Sequence, residues 1–151
     1  MQNKFLFHNL LHLSNYIINQ TKPINFLKLN YLIYYSHTHH LINRHQPLFQ
    51  EAIEAWVYGP IIPDLYFFYR HHTNEPLNPH PHGNLAKLTS SQKQSLDYII
   101  KKLGHHPSNV LAEQIINSDP WDDAFNTFTF PIQINAITNK AIQKYYQSHP
   151  L

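Results

Sequence analysis

The chain has 151 residues, of which 42% are hydrophobic and only 13% are charged, and its formal net charge at pH 7 is +2. This length and apolar content predict one packed domain over residues 1–151 and argue against global disorder. The small net charge does not favour a nucleic-acid partner, and the absence of cysteine excludes disulfides, thiolate metal sites and cysteine nucleophiles.

The N-terminal region does not resemble a membrane anchor or a secretion signal. No apolar run in the chain approaches the roughly 20 residues that a membrane span needs. His8, Asn9 and His12 interrupt the apolar residues near the N-terminus, and no small-residue cleavage site follows them. We therefore expect a cytoplasmic protein with no membrane partner.

Two helices are predicted in the first third of the chain. Residues 5–20 have apolar side chains at helical spacing, which is typical of an amphipathic helix. Residues 24–42 are apolar or aromatic on every side of a helical period, so this helix is expected to be buried at the centre of the fold. Pro23 is suited to its first turn.

A rigid corner follows the central helix. Residues 53–58 alternate with a period of two, which predicts a short strand, and Gly59 with Pro60 is expected to end it. Pro60 and Pro63 restrict the backbone, and a helix is expected to begin near Asp64. Residues 71–90 have the proline, histidine and asparagine content of a loop.

The last third predicts more helices and one strand. Ser90 or Ser91 is expected to cap a helix that ends at Gly104, and Ser108 to cap the next. Pro120 suits the first turn of a third helix, and residues 136–146 form the last. Residues 128–134 alternate as an edge strand does and are expected to pair with residues 53–58. The expected fold is mainly α, with about six helices around the central one and a small two-stranded β element.

The runs LKLNYLIYYSHTHHL, PLF and EAIEAWVYGPIIPDLY are similar to the Panacea domain, also called the SocA-like antitoxin domain, which occurs in phage-associated proteins. The resemblance continues at Pro120 and Trp121. We interpret one set of matching positions as the structural motif: Lys28, Leu29, Tyr34, Tyr35, Gly59, Pro60, Pro63 and Pro120.

This chain departs from the family pattern at two places. Asn30 or Tyr31 stands where the family often carries a second lysine in the central helix. Ile116 and Asn117 stand where the family has Thr-His or Ser-His shortly before the Pro-Trp pair. Any role that needs that histidine is therefore not expected in this chain.

The candidate partner-binding residues are Trp56, Tyr58, Tyr66 and Trp121, because large amphipathic aromatic side chains often anchor interfaces. The competing interpretation is that these side chains belong to the core. The resemblance implies an antitoxin-like module that neutralises a partner toxin by binding it, and some relatives are thought to deliver the toxin to a Clp-type protease. Neither the identity of the toxin nor the oligomeric state can be read from the sequence.

Two alternatives from other classes remain open: a histidine-based metal-dependent enzyme and a DNA-binding regulator. The histidines at positions 37, 39, 40 and 45 form the densest cluster, and His8 and His12 are one helical turn apart. No phosphate-binding loop, catalytic serine motif or zinc protease motif is present. We therefore predict no catalytic residue, no metal and no cofactor.

Overall fold

The structure is a computed structural model that describes residues 4–72, 74–127 and 135–151. Over these residues it contains seven α-helices and one small antiparallel sheet of two strands. The prediction of a mainly α fold with a two-stranded β element is therefore confirmed.

The elements, in chain order, are α1 (Lys4–Thr21), α2 (Phe26–Arg44), β1 (Glu54–Trp56), β2 (Gly59–Ile61), α3 (Pro63–Tyr69), α4 (Ser90–Leu103), α5 (Ser108–Ile116), α6 (Asp119–Asn126) and α7 (Asn139–Tyr146). No helix among the described residues is both long enough and apolar enough to cross a bilayer.

Helix α2 is the centre of the fold, as its apolar residues on every side predict. Thirteen of its 19 residues are buried, and it packs against α1, α3, α4, α5, α7 and β2. The helix begins at Phe26, because the side chain of Asn25 accepts a hydrogen bond from the amide of Lys28 and caps the first turn. Pro23 therefore lies before the helix, and not in its first turn as predicted.

The sheet is a hairpin within the corner. Trp56 pairs with Gly59 across a turn formed by Val57 and Tyr58, so β2 lies where the sequence predicted only an end to the strand. Gly59 has a φ of +126°, which permits the reversal. Pro60 is tolerated because it lies on the outer edge, where no ladder amide is needed.

The other edge of β1 is also covered. The amide of Ala55 donates to the carbonyl of Asn135 at 2.7 Å, and the amide of Ile137 donates to the carbonyl of Ile53 at 2.8 Å. Residues 128–134, for which a strand was predicted, lie outside the described residues. The last helix begins at Asn139, because Thr138 caps it, and the preceding residues extend along β1.

Two predicted helix caps are wrong by one residue. The cap of α4 is Thr89, whose hydroxyl accepts from the amide of Gln92, while the Gln92 side chain accepts from the amide of Thr89. The cap of α5 is Pro107, without any side-chain hydrogen bond, so Ser108 is the first helical residue. Each helix therefore begins within one residue of the predicted cap.

The stretch of residues 71–90 begins within a short 3-10 turn at Arg70–His72 and contains another at Leu85–Lys87 before α4 begins. It is attached to α1 by Asn15, which is buried. The Asn15 amide group donates to the carbonyls of His80 and Gly83, and its oxygen accepts from the amide of His80 at 2.8 Å. A polar side chain in α1 thus orders a segment 65 residues away.

Candidate interaction surface

The hairpin turn is built around Gly59. A side chain at this position would place its Cβ 3.1 Å from the ring of Tyr31, in a backbone conformation that favours glycine. The hydroxyl of Tyr31 donates a hydrogen bond to the carbonyl of Tyr58 in the turn. Burial raises the pKa of Tyr31 to about 12, so this hydroxyl remains a donor at neutral pH.

Asn30 joins α2 to the hairpin. Its side chain is fully buried, donates to the carbonyl of Pro60 at 2.7 Å and accepts from the amide of Ile62 at 3.0 Å. Sequence reasoning identified Asn30 only as a departure from the family lysine and missed this role. The signal was an asparagine in the middle of an otherwise apolar helix, because a buried amide must find partners.

Trp121 supports the hairpin from below. Its indole N–H donates to the carbonyl of Trp56 at 2.9 Å, and its ring stacks on Phe125 with 4.5 Å between centroids. Only 7% of Trp121 is exposed. The structure thus brings Trp121 and Trp56 together. The Trp121 side chain is buried, and the Trp56 side chain is half-buried.

Trp56 and Tyr66 form the half-buried part of the surface. Their rings meet edge to face at 5.0 Å, and the indole N–H of Trp56 donates to a carboxylate oxygen of Glu54 at 2.8 Å. The Tyr66 ring also contacts the ring of Phe67 at 5.6 Å. Each aromatic ring is therefore held in place by another side chain.

Three large apolar side chains at this corner are exposed to solvent. Val57 is 66% exposed, Tyr58 is 60% exposed and Phe67 is 56% exposed. We define the hairpin face as Trp56, Val57, Tyr58, Tyr66 and Phe67. Contiguous exposed apolar residues on a braced scaffold are typical of an interaction site. Sequence reasoning missed Val57 because it was predicted to lie in a strand and lies in the turn. Phe67 lies in a helix as predicted, and its exposure depends on which face of α3 packs on the fold.

A cavity of about 240 Å³ opens beside the hairpin face. Its walls come from α2, the hairpin and α3, with one amide at the rim: Phe26, Leu27, Trp56, Tyr58, Ile61, Tyr66 and Asn74. This lining is suited to an apolar side chain from outside.

The remaining motif residues hold the scaffold. Leu29 and Tyr34 are fully buried, and the hydroxyl of Tyr35 donates to the carbonyl of Leu111 at 2.8 Å. Pro63 begins α3, and Pro120 is buried in the first turn of α6. Lys28 is half-buried, and this burial lowers its pKa.

Two histidines of the densest cluster, His37 and His40, are used inside the fold, while His39 is half-buried and His45 is exposed. The Nδ1 of His37 accepts from the amide of Leu48 at 3.2 Å, so its Nε2–H donates to Asn139 at 2.8 Å. His40 is buried and its Nδ1–H donates to the carbonyl of Gln46 at 2.8 Å. His39 stacks on Tyr98 with 4.3 Å between centroids. These rings stabilise α2 and its neighbours.

The other predicted pair, His8 and His12, lies beside the loop. The Nδ1 of His12 accepts from the amide of Asn84 at 2.8 Å, and the His8 ring contacts that of His82. Within the described part of the chain, no three histidine, aspartate or glutamate side chains converge in a way that could hold a metal ion. The two predicted histidine clusters therefore do not meet in a common centre.

The described residues thus form a mainly helical scaffold that carries a hairpin with exposed apolar side chains. The family described as antitoxin SocA-like, Panacea domain, matches residues 29–122, which is more than half of the chain and runs from the first turn of α2 through the hairpin, α3, α4 and α5 to the start of α6. This chain belongs to that family, which has an antitoxin-type role, and the resemblance seen in the sequence is confirmed. No curated protein and no solved structure matches the chain.

Proposed function

We propose that this chain is the antitoxin of a bacterial or phage toxin–antitoxin pair and neutralises its cognate toxin in the cytoplasm by binding it through the hairpin face. The observation that carries the proposal is the exposure of Val57 and Tyr58 on a hairpin that Asn30 and Trp121 hold rigid, together with that of Phe67 on the adjoining helix α3. A rigid apolar surface loses little conformational entropy when it is covered. Burial of that surface provides the affinity, and no catalytic step is required.

The four predicted partner-binding residues take different parts in this proposal. Tyr58 contacts the toxin most fully because it is the most exposed of the four. Trp56 and Tyr66 present one edge each and line the cavity. Trp121 donates a hydrogen bond to the carbonyl of Trp56, so its part is to position Trp56.

The test is expression of the neighbouring open reading frame in bacteria, alone and together with this chain. We expect growth arrest that co-expression relieves, and a complex of the two proteins that co-purifies. A neighbour that arrests growth but is neither relieved nor bound would contradict the proposal.

Variants of this chain locate the interface in the same assay. Tyr58→Ser and Phe67→Ser are expected to weaken the complex and restore arrest, because each removes an exposed aromatic ring from the hairpin face. Tyr98→Ser is the control for loss of an exposed aromatic ring and of its packing: Tyr98 is 41% exposed on α4, away from the hairpin, and its ring stacks on His39. Equal loss of binding in all three variants would show that the loss is not specific to the hairpin face, and unchanged binding in Tyr58→Ser and Phe67→Ser would place the interface elsewhere.

Delivery of the toxin to a Clp-type protease is the adaptor form of the same proposal. In that form the antitoxin shortens the half-life of the toxin only when the protease is present. Simple occlusion neutralises the toxin with or without the protease, so a pulse-chase measurement of toxin in cells lacking Clp proteases separates the two.

A further inference from the structure

The acidic residues of this chain are concentrated around the hairpin. Six of the nine acidic residues fall in two short segments: Glu51, Glu54, Asp64, Asp119, Asp122 and Asp123. No lysine or arginine occurs in residues 45–69 or 103–139. The chain as a whole has a formal charge of +2, so the charge of this region is opposite in sign to that of the rest.

The fold brings the two acidic segments together. Helix α6 packs on β1, and the indole of Trp121 donates to the carbonyl of Trp56. Glu54 lies in β1 opposite Ile61, which lines the cavity, and Asp64 lies in the first turn of α3. Glu54 therefore lies in the hairpin itself, where its carboxylate accepts from the indole N–H of Trp56, and Asp64 lies in the helix that carries Tyr66 and Phe67. Helix α6, which carries the other three carboxylates, packs on β1.

Few of these carboxylates are compensated. None forms an ion pair with a side chain that the structure describes. Asp119 and Asp123 line a second cavity together with Lys140 and Lys144 of α7. The two lysines offset the charge of these two aspartates. Glu51, Glu54 and Asp64 lie in residues 45–69, which contain no lysine or arginine, and one oxygen of Glu51 is buried without a hydrogen-bond partner.

The backbone of the hairpin does not offer an edge for strand addition. Pro60 has no amide hydrogen, and its carbonyl is already bound by Asn30. Residues 135–137 cover the other edge. A partner must therefore bind through its side chains and not by extending the sheet.

We propose that the hairpin face recognises a basic segment of the partner protein, in which one large apolar side chain enters the cavity and flanking lysine or arginine side chains meet Glu51, Glu54 and Asp64. This inference rests on the proposed function and specifies the chemistry of the partner at the same surface. The cavity of about 240 Å³ is large enough for a single leucine or phenylalanine side chain. Electrostatic complementarity would select the basic segment and speed its association.

The experiment uses three synthetic pentapeptides and the isotope-labelled full chain in solution NMR at neutral pH. The first peptide has phenylalanine between two pairs of lysines, the second replaces the lysines by glutamates, and the third replaces the phenylalanine by glycine. We expect the first to shift the amide signals of Trp56, Tyr58 and Phe67 at low salt, with a weaker effect at high salt. The other two are expected to bind much more weakly.

Charge-neutral variants test the flanking contacts. The triple variant Glu51→Gln, Glu54→Gln, Asp64→Asn keeps the shapes and the acceptor for Trp56, and is expected to raise the Kd for the first peptide about tenfold at low salt. Glu113→Gln, at an exposed position on α5, is the control and is expected to leave the Kd unchanged.

Several outcomes would overturn the inference. The glutamate peptide could bind as well as the lysine peptide, the glycine peptide could bind as well as the phenylalanine peptide, the shifts could fall away from the hairpin face, or the triple variant could bind normally. None of these outcomes bears on the co-expression test. A toxin that co-purifies equally with the triple variant would reject the charge contacts and retain the antitoxin role, whereas a toxin that the unaltered chain does not bind would reject the role itself.

Discussion

Asn30 is the residue that joins the central helix to the interaction surface. It lies in the second turn of α2 with no exposure to solvent, and both functional groups of its amide are used by the backbone of the hairpin. An apolar side chain there would leave a carbonyl and an amide without partners in the interior.

We expect Asn30→Ala to lower the free energy of unfolding by about 3 kcal/mol, because two buried backbone groups each lose a hydrogen bond worth about 1–3 kcal/mol. Chemical denaturation measures the loss. The matched control is Asn43→Ala, which removes an exposed asparagine of the same helix and is expected to cost less than about 1 kcal/mol. Similar costs for the two variants would show that the hairpin does not depend on Asn30.

His37 is a second residue whose surroundings set its chemistry. It is 1% exposed, packs on Phe49 and accepts the amide of Leu48 at Nδ1. Burial lowers the pKa of His37 from 6.5 to about 4, in spite of the hydrogen bond to Asn139 and with a small contribution from His40. The neutral ring is the form that fits the fold.

The stability contributed by His37 is present above pH 6.5 and is lost as the pH falls toward 4, because the unfolded chain binds a proton that the folded chain excludes. From pH 7.5 to pH 5, we expect this group to reduce the free energy of unfolding by about 2 kcal/mol. His37→Gln should remove that part of the pH dependence, and His105→Gln, at an exposed position, should retain it. Denaturation curves at several pH values give the slopes, and equal slopes for His37→Gln and the unaltered chain would contradict the assignment.

At the scale of elements, the segment between α3 and α4 depends on its contact with α1. A Cβ at Gly83 would lie 2.1 Å from the side-chain nitrogen of Asn15 and 2.7 Å from the backbone carbonyl oxygen of Leu11. The close approach of Gly83 lets Asn15 bind two carbonyls of the segment. The anchor is therefore steric as well as polar.

We expect Gly83→Ala to release this segment, since its Cβ cannot be accommodated without loss of the Asn15 hydrogen bonds. Amide hydrogen exchange should become faster around His80 and remain slow in α2. Asn78→Ala, at an exposed position of the same segment, serves as the control and should exchange as the unaltered chain does. Unchanged exchange in Gly83→Ala would mean that the contact is not needed for order.

At the scale of the whole molecule, α2 connects nearly all other elements. Five helices and one strand pack on it, and α6 joins the same body through β1 and α7. Every other helix except α6 therefore packs against a helix that is itself buried. Loss of α2 would therefore expose the packed faces of these five helices together.

We expect the chain to unfold as one cooperative unit, as a single domain would. Both tryptophans lie at the hairpin corner, so their fluorescence reports on that corner, while far-ultraviolet circular dichroism reports on all helices. The two signals should give the same midpoint in denaturant. Separate midpoints would show that the corner unfolds apart from the helices.

The local pattern predicted much of the fold. The two helices of the first third, the corner and the helices of the last third lie within a few residues of their predicted positions. Helical periodicity, caps and prolines act over a few residues, so they can be read without knowing the partners of an element. The second strand was missed because a glycine with positive φ can continue as a hairpin as well as stop a strand.

The sequence by itself determined a mainly α chain, its buried central helix and its membership of the Panacea family, because these depend on apolar spacing and on residues at fixed offsets. Only the tertiary structure decided which aromatic side chains meet solvent and what the polar residues of α2 do. Asn30 meets Pro60 across 30 positions, Trp121 meets Trp56 across 65, and His37 meets Asn139 across 102. Such contacts arise from the packing of distant elements, and no local periodicity records them.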